Sequence, residues 1–373
     1  MDDFQVFVKP VGAACNLACS YCYYLDKQEI FREETGARMK EKVLEAYIIQ
    51  HIAMSSGPEI FFSWHGGEPT LAGLKFFQRI VELQHKHVSA NILIINEIQT
   101  NGILLDHQWC RFLKQHNFIV GISLDGPENF HSCHRFNKNG NSCFDEVLRG
   151  YRLLKQCGIP CEILCVVSSV NAGYPLEIYR FFKQLNAEFI TFLPLVEKQT
   201  SVKTMVSERS VAAGAFGQFL CTIFDEWKAC DIGKIKVQIF EEALRSAFNL
   251  KHSLCIFKKT CGRVPVVEHN GDFYSCDHFV TRQYLLGNIS SVTMDQMLES
   301  PAQKAFGNAK WNTLPDYCLK CEVRDLCNGA CPKDRFLNSP DGEPGLNYLC
   351  EGYKMFFNHC KPFIEEVAQA WRS

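Results

Sequence analysis

The chain has 373 residues, with 39 basic against 41 acidic side chains and a formal net charge of -2. Apolar residues make up 47% of it, enough for a large core, and the lack of a basic footprint argues against a nucleic-acid partner. The opening MDDFQVFVKP lacks the basic and apolar regions of a signal peptide, and no segment approaches the ~20 apolar residues of a membrane span, so the expected compartment is the cytoplasm, with no membrane partner.

Short apolar runs rich in β-formers alternate with helix-period segments through the first half. Strands are expected at residues 5–8, 60–64, 92–98, 119–123, 162–167 and 189–193. Helices are expected between them at 40–54, 74–87, 108–115, 144–156 and 175–184. This alternation predicts parallel strands with helical crossovers; six βα units predict an α/β fold built on an open, partial (β/α)6 barrel. Gly-, Asp- or Asn-containing loops follow the strand ends at 65–70, 99–102 and 125–127, where such a barrel carries its chemistry.

From about Lys198 the pattern changes. A helix is expected at 211–227, and a Cys-, Gly- and Pro-rich region with weak periodicity runs from Cys255 to Cys350, its order expected from metal ligation. A final amphipathic helix is expected at 353–371. The expected domains are a barrel (1–197), a helical connector (198–250), a C-terminal iron–sulfur domain (251–352) and a terminal helix (353–373).

The chain holds 20 Cys, and in a reducing compartment cysteines at ligand spacing favour metal over disulfides. Eleven fall into spacing patterns. The others (Cys110, Cys133, Cys143, Cys157, Cys161, Cys165, Cys221, Cys230 and Cys360) are scattered, several in apolar runs, and read as structural.

Cys15, Cys19 and Cys22 form C-x3-C-x2-C just after the first strand, at the expected barrel mouth. Three thiolates can hold three irons of a [4Fe–4S] cluster and leave the fourth open to a substrate or cofactor. The segment CNLACSYC resembles the signature of the radical S-adenosylmethionine superfamily. In that family the open iron chelates the cofactor's amino and carboxylate groups. The resemblance extends to His65-Gly66-Gly67-Glu68-Pro69, similar to the family's GGEP motif, whose backbone holds the cofactor's amino group. By the same resemblance Tyr21 belongs to the cofactor site, while Ser123, Arg135 and Leu195 stand where the family makes its ribose, carboxylate and adenine contacts.

Cys261-x9-Gly271-x4-Cys276, then Cys318-x2-Cys321-x5-Cys327-x3-Cys331, then Cys350, together with Cys255 supply eight thiolates, enough for two fully ligated [4Fe–4S] clusters. Sets of four thiolates also suit structural zinc, which leaves the three-cysteine site without a purpose. The arrangement resembles the SPASM extension. That likeness assigns Cys255, Cys261, Cys276 and Cys331 to one cluster, and Cys318, Cys321, Cys327 and Cys350 to the other, three clusters in all.

Over nearly its whole length the chain is similar to the anaerobic sulfatase-maturating enzymes, through VKPVGAACNLACSYCYYL, FSWHGGEPTLAG, IQTNGILLD, VGISLDGP, NGDFYSCDHFV, CNGACPKDRF and DGEPGLNYLC. The resemblance implies oxidation of a sulfatase Cys or Ser to Cα-formylglycine. Its implied partners are the sulfatase polypeptide and an electron donor such as flavodoxin or ferredoxin. Asp277, next to Cys276, matches the family's proton acceptor; His278 is the reserve candidate, and side-chain alternation points it away from Asp277 if the segment is extended. Tyr24 and Gln99 are candidate substrate contacts at the mouth. The alternative is a maturase that cross-links a ribosomally made peptide; many of these carry a leader-binding module of about 80 residues, domain-sized in itself, ahead of the barrel, where Cys15 stands too near the start to leave room.

Overall fold

The computed structural model describes residues 4–24, 27, 30, 38–199 and 206–372. The chain runs β1 (Phe7–Val8), α1 (Glu41–Met54), β2 (Glu59–Trp64), α2 (Leu74–His87), β3 (Leu93–Thr100), α3 (His107–Gln115) and β4 (Phe118–Ser123). It continues through α4 (Glu128–His131), α5 (Phe144–Gln156), β5 (Cys161–Val167), α6 (Pro175–Gln184) and β6 (Phe189–Pro194). Next come α7 (Ala213–Cys230), β7 (Lys236–Val237), α8 (Gln238–Leu244), β8 (Val266–Val267), β9 (Asp272–Tyr274), β10 (Leu285–Asn288), α9 (Met294–Leu298) and α10 (Pro301–Asn312). The last elements are α11 (Asp316–Leu319), α12 (Arg324–Cys327), β11 (Arg335–Asn338), β12 (Pro344–Asn347) and α13 (Cys350–Arg372). The six expected strands and the helices between them are present. The helix α10 was not expected within the Cys-rich region; Pro in its first turn and the Ala, Gln and Lys that follow favour it.

The residues group into two compact units: Met1–Ser123, His134–Cys161 and Gly262–Gly307 form the first, and Leu124–Cys133, Glu162–Cys261 and Asn308–Ser373 the second. In the first unit β1, β2, β3 and β4 pair in parallel in that order. On the other side of β1, β8 adds in parallel, with Phe7 opposite Val266 and Val8 opposite Val267. The strands β9 and β10 then extend the sheet antiparallel. This addition brings the segment that carries Glu268 and Asp277 to the strand that precedes the first cysteine loop.

Side-chain alternation sets the two faces of this sheet. Phe62 and Trp64 of β2 are buried on one face, Phe62 against Tyr47 and His51 of α1 and Trp64 against Phe77 of α2, whose Phe76, Phe77, Ile80 and Val81 form its apolar stripe. Between them a buried polar triad fixes register: Trp64 Nε1 donates to Asn96 Oδ1 (2.8 Å), and Asn96 and Gln84 exchange two amide bonds (2.9 and 3.0 Å). The opposite face presents polar side chains. There Ser63 donates to Glu97 (2.9 Å), and Gln5 donates to both.

In the second unit β5, β6 and β7 pair in parallel, and α7 packs along α13. The two helices meet where each has a glycine: a Cβ on Gly352 would stand 2.2 Å from Ala213 O, and one on Gly217 2.8 Å from Gly352 Cα. Phe224, Phe240 and Phe356 fill the space beside this crossing, with ring centroids 5.2 and 5.6 Å apart. Of the nine scattered cysteines, Cys110, Cys143, Cys165, Cys221 and Cys360 are buried. No helix among the described residues is long and apolar enough to cross a membrane.

The glycine contact predicts that Gly352→Ala pushes α13 off α7 and costs about 1–3 kcal/mol. A thermal melt of the two proteins compares them directly; an unchanged midpoint rules out the close approach.

Candidate active site

The loop after β1 carries Cys15, Cys19 and Cys22, tightened by a turn in which Cys22 N donates to Cys19 O (3.1 Å). Segment 134–137 flanks it: Ala18 N donates to Phe136 O and Ser20 N to His134 O, both 2.9 Å. On another side lies the Gly-Gly pair. Gly67 N donates to Gly12 O and Glu68 N to Ala14 O, each at 2.8 Å. A Cβ on Gly67 would sit 2.1 Å from Ala14 O, so only glycine permits this approach. The Gly-Gly motif thus seats the cysteine loop itself. The Cys15 sulfur accepts from Leu17 N (3.4 Å) and Asn101 Nδ2 (3.9 Å), and burial pushes its thiol up to about 12. Three sulfurs on one short, pinned loop are a donor set that fits three irons of a cluster.

The other expected cofactor contacts divide by place. Glu68 is buried with its carboxylate fully engaged: Oε1 accepts from Thr70 N (3.0 Å), Thr70 Oγ1 (2.5 Å) and Thr100 Oγ1 (2.8 Å), and Oε2 from Asn101 N (2.7 Å). Its side chain therefore braces the loops after β2 and β3 rather than reaching for a ligand. Arg135 is buried beside the cysteine loop, and its Nη1 donates to the Tyr21 hydroxyl (2.8 Å). Ser123 ends β4 and Gln99 lies on β3 opposite Gly121, both half-buried in the first unit. Leu195 is a buried residue of the second unit, where its N–H donates to Val167 O (2.8 Å).

Asp277 sits at the centre of an ionic cluster within the first unit. It is buried, and its Oδ1 lies 2.8 Å from Lys9 Nζ; the two side chains are 7% and 1% exposed. The Tyr23 hydroxyl donates to Oδ2 (2.5 Å). Burial opposes charge on Asp277, but Lys9, His278 and these two bonds outweigh it and hold the carboxyl down at about 2, so it is ionised. Lys9 also lies 4.4 Å from the centre of the Tyr24 ring. The segment is a 3₁₀ turn (Asp277–Phe279) rather than extended, and His278 is exposed, with its ring 5.3 Å from that of Tyr23.

Tyr24, expected at the rim, is buried and donates a short hydrogen bond to the fully buried Glu268; its neighbour Tyr23 is the exposed ring of the pair. His65, just before the Gly-Gly pair, stacks on Phe7 with centroids 4.1 Å apart. Burial, and then Lys9, push its pKa down to about 3, so the imidazole is neutral. Lys9, Tyr23 and Glu268 were not singled out in the sequence. An isolated Lys directly after a strand carries no spacing signal; only its burial marks it.

Farther along, Cys318, Cys321, Cys327 and Cys350 line one pocket in the second unit, a set of soft donors that fits a cluster. Burial, then Cys318, Cys327 and Cys321, push Cys350 up to about 12. Cys255, Cys261 and Cys331 form another group in that unit: burial raises all three thiols, with Cys261 adding to the rise at Cys255, Cys331 to that at Cys261, and Asp334 and then Cys255 to that at Cys331. Cys276 belongs to the first unit, directly before Asp277. Among the described residues, which include every Cys, none is in a disulfide.

The Radical SAM superfamily model matches residues 10–182, and the iron-sulfur cluster-binding domain model matches residues 255–322. The serine-type anaerobic sulfatase-maturating enzyme of Bacteroides thetaiotaomicron is 43% identical over 96% of this chain and 90% of its own length. The chain belongs to the anaerobic sulfatase-maturating enzymes. A cysteine-type member from Clostridium perfringens is 33% identical over 99% of both chains. Among solved structures, native anSMEcpe with bound AdoMet and Cp18Cys peptide superposes with a TM-score of 0.88 at 32% identity, covering 99% of each chain. Streptococcus suis SuiB bound to S-adenosylmethionine, at 15% identity and a TM-score of 0.66 over 94% of this chain and 77% of that one, shares the fold. The expected fold class therefore holds: a radical SAM α/β fold with a SPASM iron–sulfur domain.

In this family member Lys9→Met is expected to leave Asp277 buried without its cation and to destabilise the protein by about 3–5 kcal/mol. Adding Asp277→Asn to Lys9→Met should recover part of that loss. Denaturant unfolding of the two single variants and the double variant measures the coupling, and simple additivity would contradict the ion pair.

Proposed function

We infer that this chain is an oxidoreductase that converts a Cys or Ser of a sulfatase polypeptide to Cα-formylglycine. The observation that carries this reading is the ionised Asp277, held by Lys9 and Tyr23 directly after a cluster-type cysteine and in the same unit as the open three-cysteine loop. The cofactors are S-adenosylmethionine and [4Fe–4S] clusters. When bound, they supply the radical chemistry that removes hydrogen from the substrate's Cβ.

The chain's own groups then have defined tasks. Cys15, Cys19 and Cys22 hold the cluster that binds S-adenosylmethionine. Tyr21, the backbone of Gly66, Gly67 and Glu68, and Ser123, Arg135 and Leu195 are assigned to the cofactor. Cys255, Cys261, Cys276 and Cys331 hold a second cluster, and Cys318, Cys321, Cys327 and Cys350 a third. Asp277 takes the proton from the substrate thiol or hydroxyl, whose acidity rises once the adjacent carbon has lost hydrogen. Its depressed pKa keeps it available as a base at neutral pH. Tyr23 presents an exposed ring and a hydroxyl beside that base, and Gln99 lines the polar face of the sheet; Tyr24 supports them from beneath.

The domain boundaries proposed are 1–197, 198–250, 251–352 and 353–373. Reduction needs a low-potential one-electron donor, for which a flavodoxin or ferredoxin is suited. The cytoplasm, where thiols stay reduced, is the proposed compartment.

Incubating the reduced protein with S-adenosylmethionine and peptides containing Cys or Ser followed by x-Pro-x-Arg is expected to give the mass loss of aldehyde formation; a cross-linked product would favour the peptide-maturase reading instead. Asp277→Asn is expected to retain iron and cofactor cleavage while aldehyde production falls about 10²–10⁴-fold. Full activity in that variant would exclude Asp277 as the base.

A further inference from the structure

Two cations in the second unit play no part in the site above. Lys310 of α10 is buried, and its Nζ donates to Cys255 O and Ile256 O, both at 2.8 Å. Arg335, at the start of β11, directs its guanidinium only at carbonyls: Nε to Gly329 O (2.7 Å), Nη2 to Asn328 O (2.9 Å) and Ala330 O (3.3 Å), and Nη1 to Lys310 O (2.5 Å). The carboxylate nearest in sequence, Asp334, pairs with Lys333. Among the described residues neither Lys310 nor Arg335 forms a salt bridge with a carboxylate.

A desolvated cation needs a counter-charge. Here the groups within electrostatic reach are cysteine sulfurs, which become anionic as ligands of iron. Lys310 acts on Cys261, Cys255 and Cys331, and Arg335 on Cys318, Cys261, Cys327 and Cys331.

The backbone that Arg335 grips is unusual. Asn328, Gly329 and Ala330 are three consecutive left-handed residues, with φ of 47°, 71° and 50°. They make up the whole strap between Cys327 and Cys331. For Ala330 that conformation costs about 1–2 kcal/mol. Three carbonyls turned onto one guanidinium offset the cost, together with Asn328 Nδ2 donating to Phe257 O (2.7 Å).

We propose that Arg335 and Lys310 are positioning residues that set the reduction potentials of the two C-terminal clusters, with Arg335 clamping the strap that joins a ligand of each. The proposal rests on the reading that the eight cysteines hold two [4Fe–4S] clusters. A four-thiolate cluster is net negative, and each added electron makes it more so. A fixed neighbouring cation therefore favours the reduced state, and net charge is among the main determinants of such potentials. The reaction needs this bias: oxidising the substrate to an aldehyde releases one electron beyond the hydrogen and the proton, and that electron must come to rest on an acceptor in the protein. Lys310 raises chiefly the centre bound by Cys255, Cys261 and Cys331, whereas Arg335 raises both.

The test is a potentiometric titration, followed by electron paramagnetic resonance, of the anaerobically reconstituted full chain and its Lys310→Met, Arg335→Gln and Arg335→Lys variants. Lys310→Met is expected to make reduction of one auxiliary centre at least tenfold less favourable, about 59 mV for one electron, with little change in the other. Arg335→Gln should lower both, and Arg335→Lys should restore at least half of that loss. Unchanged potentials in Lys310→Met and Arg335→Gln overturn the proposal. If Arg335→Gln fails to load either auxiliary centre, Arg335→Lys decides: wild-type potentials support the arginine's role, and an equal loss of iron overturns it. Iron and sulfide sufficient only for the N-terminal set in the unaltered protein would instead sink the eight-cysteine reading, independently of the variants.

Discussion

A single buried ion pair organises the reaction site. Lys9 stands just past the first strand, and Asp277 lies 268 residues later in sequence, yet the two charges meet in a setting that leaves both almost no water. Each alone would be costly to bury; together they hold the chain after β9 against the chain after β1. The ammonium also lies over the Tyr24 ring, whose hydroxyl is engaged by Glu268, so one cation gathers two carboxylates and an aromatic floor. Burial, and then the same charge, keep the neighbouring His65 neutral.

The pairing is possible because a two-residue strand, β8, continues the sheet beyond β1. Backbone hydrogen bonds align Lys9 with Val267, and Glu268 follows at once. On the other flank of β1 the Gly-Gly pair of the loop after β2 carries the cysteine loop at a distance no side chain would permit. The cysteine loop and the segment that carries Asp277 are therefore positioned from opposite sides of β1 by main-chain contacts.

The large elements were legible because they repeat. The periods of β2 to β6 and of the helices between them survive in the sequence, and the structure moves their ends by at most three residues. The cysteine sets were legible because ligand spacing is itself a pattern. What escaped had no pattern to display. Strands of two or three residues, such as β8 and β9, are too short to alternate. Lys9 is one cation among many until its burial is seen. Tyr23 and Tyr24 are adjacent and chemically equal, and only the turn of the backbone decides that Tyr24 faces inward. Alternation would turn His278 away from Asp277 only in an extended segment; the chain instead coils there into a 3₁₀ turn, which also leaves His278 outside. Lys310 and Arg335 bond mainly to carbonyls, partners that no sequence motif records.

The addition of β8 to β1 also bears on solubility. An uncovered parallel strand offers a row of unused N–H and C=O groups to any passing chain and is a template for aggregation. Here that row is sealed by β8, and the sheet instead terminates at β10, four residues long and interrupted by a shift of register between Leu285 and Gly287. A short, irregular border of this kind is a poor template for further strands. The cap is drawn from the segment that links Cys261 to Cys276, so the cysteine-bearing part of the chain is also what closes the sheet's border.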